Sequence, residues 1–294
     1  MATTARVPSF AIRPGMRTSR SIAHVLVYII CIVWLMIALL PLAWMISTAF
    51  KTVEQMRITV PIQWIPNPIT LANFPAGWAA KPWVMHVRNT LFLAVSVGVP
   101  IMISCSLAAY AFARLKFRGR EAFFLINICL MLLPGQVTLV PRFVMMAKLG
   151  WVGTWLPALV PHFLAINPAT IFVLRQFFRA IPEDLSDAAR IDGCSELGIF
   201  WRIILPLSKA ILALQALGIV AWAWNDLLFA LLYLKKPDMQ TLTLAMQSFI
   251  GERGEVHWGP MMAMSVVISL PMMVIAFFAQ RYFTETFTLS GMKG

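Results

Sequence analysis

The chain has 294 residues, of which 60% are hydrophobic and only 12% are charged, and its mean hydropathy is +0.79. Soluble domains usually carry about 25% charged residues, so this composition argues against an ordinary soluble domain and predicts an integral membrane protein. The net charge of +12 does not indicate nucleic-acid binding, because the basic residues are spread between apolar stretches instead of forming one basic face.

Six apolar stretches follow one another along the chain, and each has the roughly 20 residues that an α-helix needs to cross the hydrocarbon core. They cover residues 21–50, 89–113, 122–141, 149–174, 210–234 and 256–280. Only the fifth contains an acid, Asp226. We therefore predict an all-α membrane protein with six transmembrane helices.

The basic residues predict how these helices are oriented. Four of them fall between Arg114 and Arg120, in the short loop after the second stretch, whereas only two fall between Arg142 and Trp151. The positive-inside rule then places both termini and the loop between the fourth and fifth stretches in the cytoplasm. The first stretch is too long for a signal-peptide core, so we predict a retained helix of a multi-pass membrane protein.

The predicted organisation has five parts. They are a cytoplasmic N-terminal tail (1–20), a first transmembrane helix (21–50), an external loop (51–88), a five-helix core (89–281) and a cytoplasmic C-terminal tail (282–294). The external loop holds five prolines and three tryptophans, which predicts either anchoring at the outer membrane surface or contact with an external partner. The four cysteines and four histidines show no ligand spacing, so neither a disulfide nor a metal site is predicted.

The loop between the fourth and fifth stretches is unusually acidic. Five of the chain's twelve acids lie between Glu183 and Glu196, and we name residues 183–197 the acidic segment. A short helix is predicted over residues 183–194, because acids at its start would face the positive end of the helix dipole. Gly193 is the predicted stop of this helix.

A second short helix is predicted to follow directly. Ser195 is a suitable N-cap, because its hydroxyl can accept a hydrogen bond from a free backbone N–H of the first turn. The helix would continue into the fifth apolar stretch. Pro206 removes a backbone donor there and would bend the chain close to the membrane surface.

The acidic segment carries a fixed pattern of residues. Asp187-Ala188-Ala189 is followed after three residues by Gly193, and after nine more by Ile203-Ile204-Leu205-Pro206. This pattern resembles the cytoplasmic loop signature of bacterial ABC-importer permeases, Glu-Ala-Ala, three residues, Gly, nine residues, Ile-x-Leu-Pro. Every spacing is met, and the one departure is Asp187 in place of Glu, which keeps the charge and shortens its reach.

Three other stretches resemble the maltose-transporter-type branch of these permeases, which transports carbohydrates. The ending Thr288-Leu289-Ser290-Gly291-Met292-Lys293-Gly294 resembles the branch's glycine- and lysine-containing tail, and Arg88-Asn89-Thr90-Leu91 resembles the Asn-Ser-Leu that opens its permease core. Trp224-Asn225-Asp226 also fits the branch. The layout of a first span followed by a long loop fits as well, and together with the acidic segment these features extend over most of residues 22–294.

The resemblance implies a permease subunit of an ATP-driven, binding-protein-dependent importer for a sugar or related solute. It implies a cytoplasmic coupling helix between the fourth and fifth spans, within the loop 179–206, that contacts an ATPase subunit. The residues that would make this contact are Glu183, Asp184, Asp187, Ala188, Ala189, Asp192, Gly193 and Leu197.

The partners that the resemblance implies are a second homologous permease, two ATP-binding subunits and an external solute-binding protein. The chain contains no Gly-x-x-x-x-Gly-Lys-Ser/Thr phosphate-binding loop. We therefore expect a non-catalytic subunit that binds no cofactor itself, while ATP and Mg²⁺ are used by the partner subunits.

Asp226 and its neighbour Asn225 are the main candidates for the translocation pathway. An acid within the bilayer is costly, so it should face the bundle interior or a water-filled path. The alternative is a polar clamp to a neighbouring helix. Further candidates for the pathway are the aromatic residues Trp222 and Trp224, more often packing groups, and the amides Gln136 and Asn167.

Two other classes of protein remain as alternatives to an importer permease. The first is a stand-alone secondary carrier or channel for a small polar solute, although a single intramembrane acid leaves little for an ion relay. The second is a membrane-embedded enzyme, which would need clustered nucleophiles, acids or metal ligands at one depth. The acidic segment favours the permease over both.

Overall fold

The computed structural model describes residues 15–57, 61, 63–251 and 255–291 of the chain. Within these residues the regular structure is helical, apart from one isolated antiparallel bridge between Ile250 and Val256. The helices of the first half are α1 (Gly15–Ala49), α2 (Val53–Arg57), α3 (Asn73–Ala79), α4 (Trp83–Arg114), α5 (Arg120–Met131), α6 (Gly135–Lys148), α7 (Leu156–Leu159), a 3₁₀ turn (Pro161–Leu164) and α8 (Pro168–Ala180).

The second half contains shorter pieces between its long helices. In chain order these are α9 (Asp184–Ile191), α10 (Glu196–Ile199), a π-helical turn (Phe200–Ile204), α11 (Leu205–Leu207), α12 (Lys209–Asn225), α13 (Leu228–Tyr233), a 3₁₀ turn (Pro237–Met239), α14 (Leu242–Met246), a 3₁₀ turn (Gln247–Phe249) and α15 (Trp258–Gly291).

Among the described residues, three unbroken helices are long and apolar enough to cross a membrane. They comprise His24–Ala49, Trp83–Arg114 and Trp258–Gln280. Three further apolar segments are pairs of helices bent at a short break, and counting each pair as one span gives up to six spans. The bent pairs are Arg120–Met131 with Gly135–Lys148 (98°), Leu156–Leu164 with Pro168–Ala180 (41°), and Glu196–Leu207 with Lys209–Asn225 (79°).

The third predicted span, residues 122–141, is not one continuous helix. The chain turns by 98° between α5 and α6, and the cause is Pro134. Proline has no N–H to continue the helix, and it disfavours the helical conformation of the residue before it. Pro134 itself is extended, with φ −60° and ψ 129°, and α6 begins at the next residue.

The fourth predicted span, residues 149–174, is also interrupted. Ala165 has the left-handed φ of 54°, which ends the first piece because a helix cannot continue through that conformation. Pro168 then occupies the first turn of α8, where its missing N–H is not needed. The Asn167 side chain caps this helix by accepting a hydrogen bond from the Thr170 N–H at 3.0 Å.

The fifth predicted span, residues 210–234, ends earlier than predicted. Helix α12 stops at Asn225, and Asp226 is extended, with φ −72° and ψ 122°. At the other end, the predicted bend near Pro206 is confirmed, because the axis turns by 79° at Ser208. The Ser208 hydroxyl donates to the Ile204 carbonyl at 2.7 Å, which satisfies a backbone group at the turn.

The long helices exceed the predicted limits of their spans. Helix α1 begins at Gly15, inside the predicted N-terminal tail, and α4 begins at Trp83, within the predicted external loop. Helix α15 extends to Gly291 and therefore includes most of the predicted C-terminal tail. Residues 281–290 contain neither proline nor glycine, so nothing in the sequence interrupts the helix before Gly291.

Helix α4 is the centre of the core. Buried residues recur at every fourth position along it, at Leu93, Val97, Ile101, Cys105 and Ala109. Such a row forms a ridge on one face of a helix, suited to packing into the groove of a neighbour. Helix α4 packs against α8 on one side and α12 on another, so it touches both helices that flank the acidic segment.

Helix α1 lies outside this core. Every residue from 24 to 41 is exposed, and the helix packs mainly along α15. Helix α3, in the predicted external loop, joins the two helices, because its Asn73 Nδ2 group donates to the Ala49 and Lys51 carbonyls at 2.9 and 2.8 Å. Gly259, at the start of α15, lies directly against Asn73.

Candidate functional site

The acidic segment folds as two short helices joined by a tight turn. Helix α9 covers residues 184–191 and is shorter than the predicted helix. Gly193 has a φ of 79°, so its predicted role as the helix stop is confirmed. Ser195 caps α10 as predicted, since its hydroxyl accepts a hydrogen bond from the Gly198 N–H at 3.2 Å.

The two faces of α9 differ in exposure. Ser186 and Ala189 are buried and face the protein. Of the eight residues that we associated with ATPase contact, Ala189 is therefore the one that lies inside, while the others are exposed: Glu183, Asp184, Asp187, Ala188, Asp192, Gly193 and Leu197. Ile191, absent from that set, is 87% exposed and is the most accessible large apolar residue of the acidic segment.

A charged network fixes the turn between α9 and α10. The Arg190 guanidinium donates to Asp187 Oδ1 at 2.6 Å and to Glu196 Oε1 at 2.8 Å. These hydrogen bonds, first that to Glu196, hold the pKa of Arg190 above its usual value. The other oxygen of Glu196 accepts a hydrogen bond from the Tyr110 hydroxyl at 2.6 Å. The sequence analysis missed Tyr110, which is 86 residues away from its partner.

Two buried arginines hold α8 against the C-terminal end of α4. Arg114, the last residue of α4, donates from Nη2 to the carbonyls of Phe178, at 2.7 Å, and Ile181. Arg175 on α8 donates to the Phe112 carbonyl at 3.1 Å. Its guanidinium also binds both carboxylate oxygens of Glu121, at 3.0 and 3.1 Å. These contacts position the chain immediately before α9.

The Asn89-Thr90 motif has a structural role at the other end of α4. The Asn89 side chain donates to the carbonyls of Asp238 and Gln240 at 2.7 and 3.0 Å. The Thr90 hydroxyl accepts a hydrogen bond from the Leu242 N–H at 2.9 Å. Both residues are buried, so this motif attaches the segment before α14 to the start of α4.

A cavity of about 430 Å³ lies between the end of α12, α14 and α15. Two of the predicted pathway residues, Trp224 and Asn225, line it. The Asn225 amide donates to the Ala221 carbonyl at 2.8 Å, and among the described residues no donor approaches its amide oxygen. Trp224 is buried and donates from Nε1 to the Ile268 carbonyl at 3.2 Å, which fixes its ring at the wall of the cavity.

The sequence analysis missed three hydroxyl residues that line the same cavity. They are Thr243 on α14 and Ser265 and Ser269 on α15. The two serines are four residues apart and therefore share one helix face, which is the signal that would have found them. Each serine donates to a carbonyl one turn earlier, at 2.8 and 2.7 Å, so its oxygen lone pairs remain available as acceptors.

The other predicted pathway residues lie outside this cavity. Asp226 is half-buried and accepts a hydrogen bond from the Ala230 N–H at 3.2 Å, at the start of α13. Trp222 is 40% exposed and packs edge-on against Phe229. Gln136 is exposed in the first turn of α6, and Asn167 caps α8. The structure thus brings together only Trp224 and Asn225 from the predicted set.

Residues 101–288 match the protein-family model described as binding-protein-dependent transport system inner membrane component. The chain is 33% identical over 261 residues to the arabinooligosaccharides transport system permease protein AraQ of Halalkalibacterium halodurans, covering 88% of this chain and 92% of that protein. It is 31% identical over 274 residues to the trehalose/maltose transport system permease protein MalG of Thermococcus litoralis, covering 92% and 97%.

The fold resembles that of a solved membrane transporter. A chain in the crystal structure of a bacterial ABC transporter involved in the import of the acidic polysaccharide alginate superposes with a TM-score of 0.78 at 22% sequence identity. The superposition covers 94% of this chain and all of that one, so the two chains share a fold over nearly their whole length. On the family match and the relatives together, this chain is a member of the family of inner membrane components of binding-protein-dependent transport systems.

Proposed function

We propose that the chain is a non-catalytic permease subunit of an ATP-driven importer for a sugar or a related solute. It forms one half of a translocation pore, and a second homologous permease forms the other half. Two ATP-binding subunits, which use ATP and Mg²⁺, and an external solute-binding protein complete the complex. Support comes from family membership and from relatives named for arabinooligosaccharides and for trehalose and maltose.

The main support for this proposal is the solvent-exposed face of the acidic segment, which we propose is the docking surface for an ATP-binding subunit. Carboxylates lie on this face beside two strongly exposed apolar side chains, Ile191 at 87% and Leu197 at 62%. Exposed apolar residues among charges are typical of a protein contact surface. Ala188 is exposed between them and, being small, allows close approach. Gly193 holds the two helices in a fixed relation.

The bent α12 suits the transmission of force from this surface. ATP drives a conformational change only if it favours one state over another. In our proposal, closure of the ATP-binding subunits displaces α9 and α10, and the π-helical turn and the 79° bend at Ser208 pass the displacement to α12. Helix α12 ends at Asn225, beside the cavity.

The cavity between α12, α14 and α15 is the part of the chain that we propose lines the pathway. Its free acceptors are the Asn225 amide oxygen and the hydroxyl oxygens of Ser265 and Ser269. Acceptors of this kind suit the hydroxyl groups of a sugar. The indole of Trp224 offers an apolar surface beside them. Asp226, Trp222, Gln136 and Asn167 remain candidates further along the path.

The proposed topology follows the distribution of basic residues. The chain lies in the bacterial inner membrane with both termini in the cytoplasm, together with the loop 179–206. Residues 51–88 then face outward, where the solute-binding protein docks, and residues 89–281 form the permease core. The short loop from Arg114 to Arg120 is cytoplasmic in this arrangement, and so is the acidic segment.

The test is purification of the tagged chain from its own cells, followed by reconstitution. We expect a second permease and an ATPase to co-purify. Vesicles supplied with the solute-binding protein should take up at least one of four labelled sugars (maltose, trehalose, melibiose and arabinobiose) only with ATP.

Gly193→Trp should abolish uptake while ATP hydrolysis continues, and Asn225→Ala should lower uptake about tenfold through one lost hydrogen bond to solute. Uptake driven by an ion gradient without ATP would instead identify a carrier.

Each part of the proposal has its own contrary result. Unchanged uptake by the Gly193→Trp complex would show that the acidic segment does not couple ATP to transport. Unchanged uptake by both Asn225→Ala and Asp226→Asn would remove these two residues from the pathway. If neither a permease nor an ATPase co-purifies, the subunit composition is wrong.

A further inference from the structure

The last turns of α4 hold the chain on both sides of α9. Tyr110 and Arg114 are four residues apart, so they lie on the same face of α4. Arg114 binds the carbonyl of Ile181, two residues before Glu183, and Tyr110 binds Glu196, five residues after the end of α9. Helix α9 therefore lies between two points of the chain that are each hydrogen-bonded to α4.

The Tyr110 attachment is rigid and strong. The ring is 4% exposed and packs on Phe200 with a centroid separation of 5.2 Å, so the hydroxyl cannot swing away from its partner. A hydroxyl that donates to a carboxylate at 2.6 Å forms a charge-assisted bond, roughly twice as strong as a neutral one. Glu196 also accepts from Arg190 of α9. Two hydrogen bonds therefore link Arg190 on α9, through Glu196, to Tyr110 on α4.

Helix α4 is placed to carry a displacement across the membrane. It is an unbroken helix from Trp83 to Arg114, and its buried ridge packs against both α8 and α12. Its opposite end holds the segment before α14 through Asn89 and Thr90. That segment continues into α14, which lines the cavity with α12 and α15.

We propose that Tyr110 and Arg114 are positioning residues that pass the movement of α9 to α4, which acts beside the bent α12 as a second route from the ATP-binding subunits to the pore. This inference rests on the proposed function, in which α9 docks an ATP-binding subunit. It adds a continuous helix, α4, to the bent one. Removal of a single atom, the Tyr110 hydroxyl oxygen, breaks the contact between Tyr110 and Glu196.

Hydrogen–deuterium exchange on the whole purified complex, with and without ATP and vanadate, tests the connection without a solute. In the unaltered complex we expect ATP to change the exchange of α9 and of residues 108–116 at the end of α4. Tyr110→Phe removes only the hydroxyl and keeps the ring packing. It should leave the change in α9 intact and reduce the change in residues 108–116 at least about twofold.

Two further variants separate transmission from simple loss of structure. Glu196→Ala breaks the same contact from the other side and should reproduce the effect, and the double variant should be no worse than the stronger single one. Tyr233→Phe is the matched control, because Tyr233 is also buried and its hydroxyl has no hydrogen-bond partner among the described residues. The control should behave as the unaltered complex does.

The outcomes distinguish this inference from the proposed function. If ATP does not alter the exchange of α9 itself, the docking surface is wrong and the proposed function fails at that point. If α9 responds but residues 108–116 do not, or respond equally in Tyr110→Phe and Glu196→Ala, the route through α4 is overturned while the docking surface stands.

Discussion

Arg114 illustrates how a single buried cation can organise two helices. The residue is 7% exposed, and its guanidinium binds two carbonyls at the end of α8, where helix geometry leaves carbonyls without partners. Arginine suits the position because its planar group presents several donors in fixed directions, whereas lysine offers one mobile ammonium. The same side chain thus completes α8 and fixes its distance from α4.

Arg114→Met should destabilise the protein because it leaves these carbonyls without their donor. We expect a loss of about 2 to 4 kcal/mol in the free energy of unfolding, given the usual penalty for each buried unpaired polar group. The midpoint of thermal unfolding, followed by size-exclusion fluorescence in detergent, measures it. Arg118→Met is the control, because Arg118 is exposed in the neighbouring loop. Equal midpoints for the two variants would contradict this role of Arg114.

Single residues were predictable from sequence where their role is local. The stop at Gly193 and the N-cap at Ser195 depend on a few neighbouring residues, and the structure confirms both. The Tyr110–Glu196 bond joins positions 86 residues apart. No spacing rule connects such residues, because the tertiary fold alone brings them together.

Helix breaks were harder to predict than helices. Hydropathy reports the composition of a stretch but not the direction of the chain. For residues 122–141 it therefore predicted a span but not the 98° turn at Pro134. Pro206 stands in a similar apolar context, and there the bend was predicted. The bend near Pro206 could be predicted because the acidic segment that precedes it independently indicated a membrane boundary, whereas no such pattern flanks Pro134.

The packing of α3 on α15 leaves no room for a side chain at Gly259. A Cβ atom there would overlap Asn73 Oδ1 and push away the amide that binds the Ala49 and Lys51 carbonyls. Gly259→Ala should therefore lower the free energy of unfolding by about 2 to 4 kcal/mol, through overpacking and lost hydrogen bonds.

The control for Gly259→Ala is Gly218→Ala in α12, where nothing lies within 4 Å of the added carbon. Alanine is the better helix former, so this variant should be stabilised by about 0.5 to 1 kcal/mol. Thermal unfolding of the two variants side by side measures the difference. A Gly259→Ala protein as stable as the control would show that α3 is free to shift.

The whole molecule offers a direct test of orientation in the membrane. Leu197 in the acidic segment and Ile65 in the predicted external loop are 62% and 83% exposed. In a cysteine-free full chain expressed without other subunits, Leu197→Cys should react with an impermeant maleimide in inside-out vesicles only. Ile65→Cys should react in right-side-out vesicles only. Labelling of both from one side would refute the proposed topology.

At this scale the sequence predicted class and family well. Composition identified an all-helical membrane protein, and the pattern from Asp187 to Pro206 indicated the permease family, which the family match confirms. The sequence predicted Trp224 and Asn225 at the cavity but not its hydroxyl residues, because those become neighbours of Asn225 only through the packing of α15 on α12. Tertiary packing, not local pattern, determines which polar residues share a site.

The pairing of α1 with α15 bears on how the chain matures. Among the described residues these are the first and last of the long apolar helices, and the contacts through Asn73 place the end of α1 beside the start of α15. Translation proceeds from α1 towards α15, so α1 is made before the helix that it mainly packs against. The contact between these two helices therefore forms only after the helices that separate them in the sequence have been synthesised.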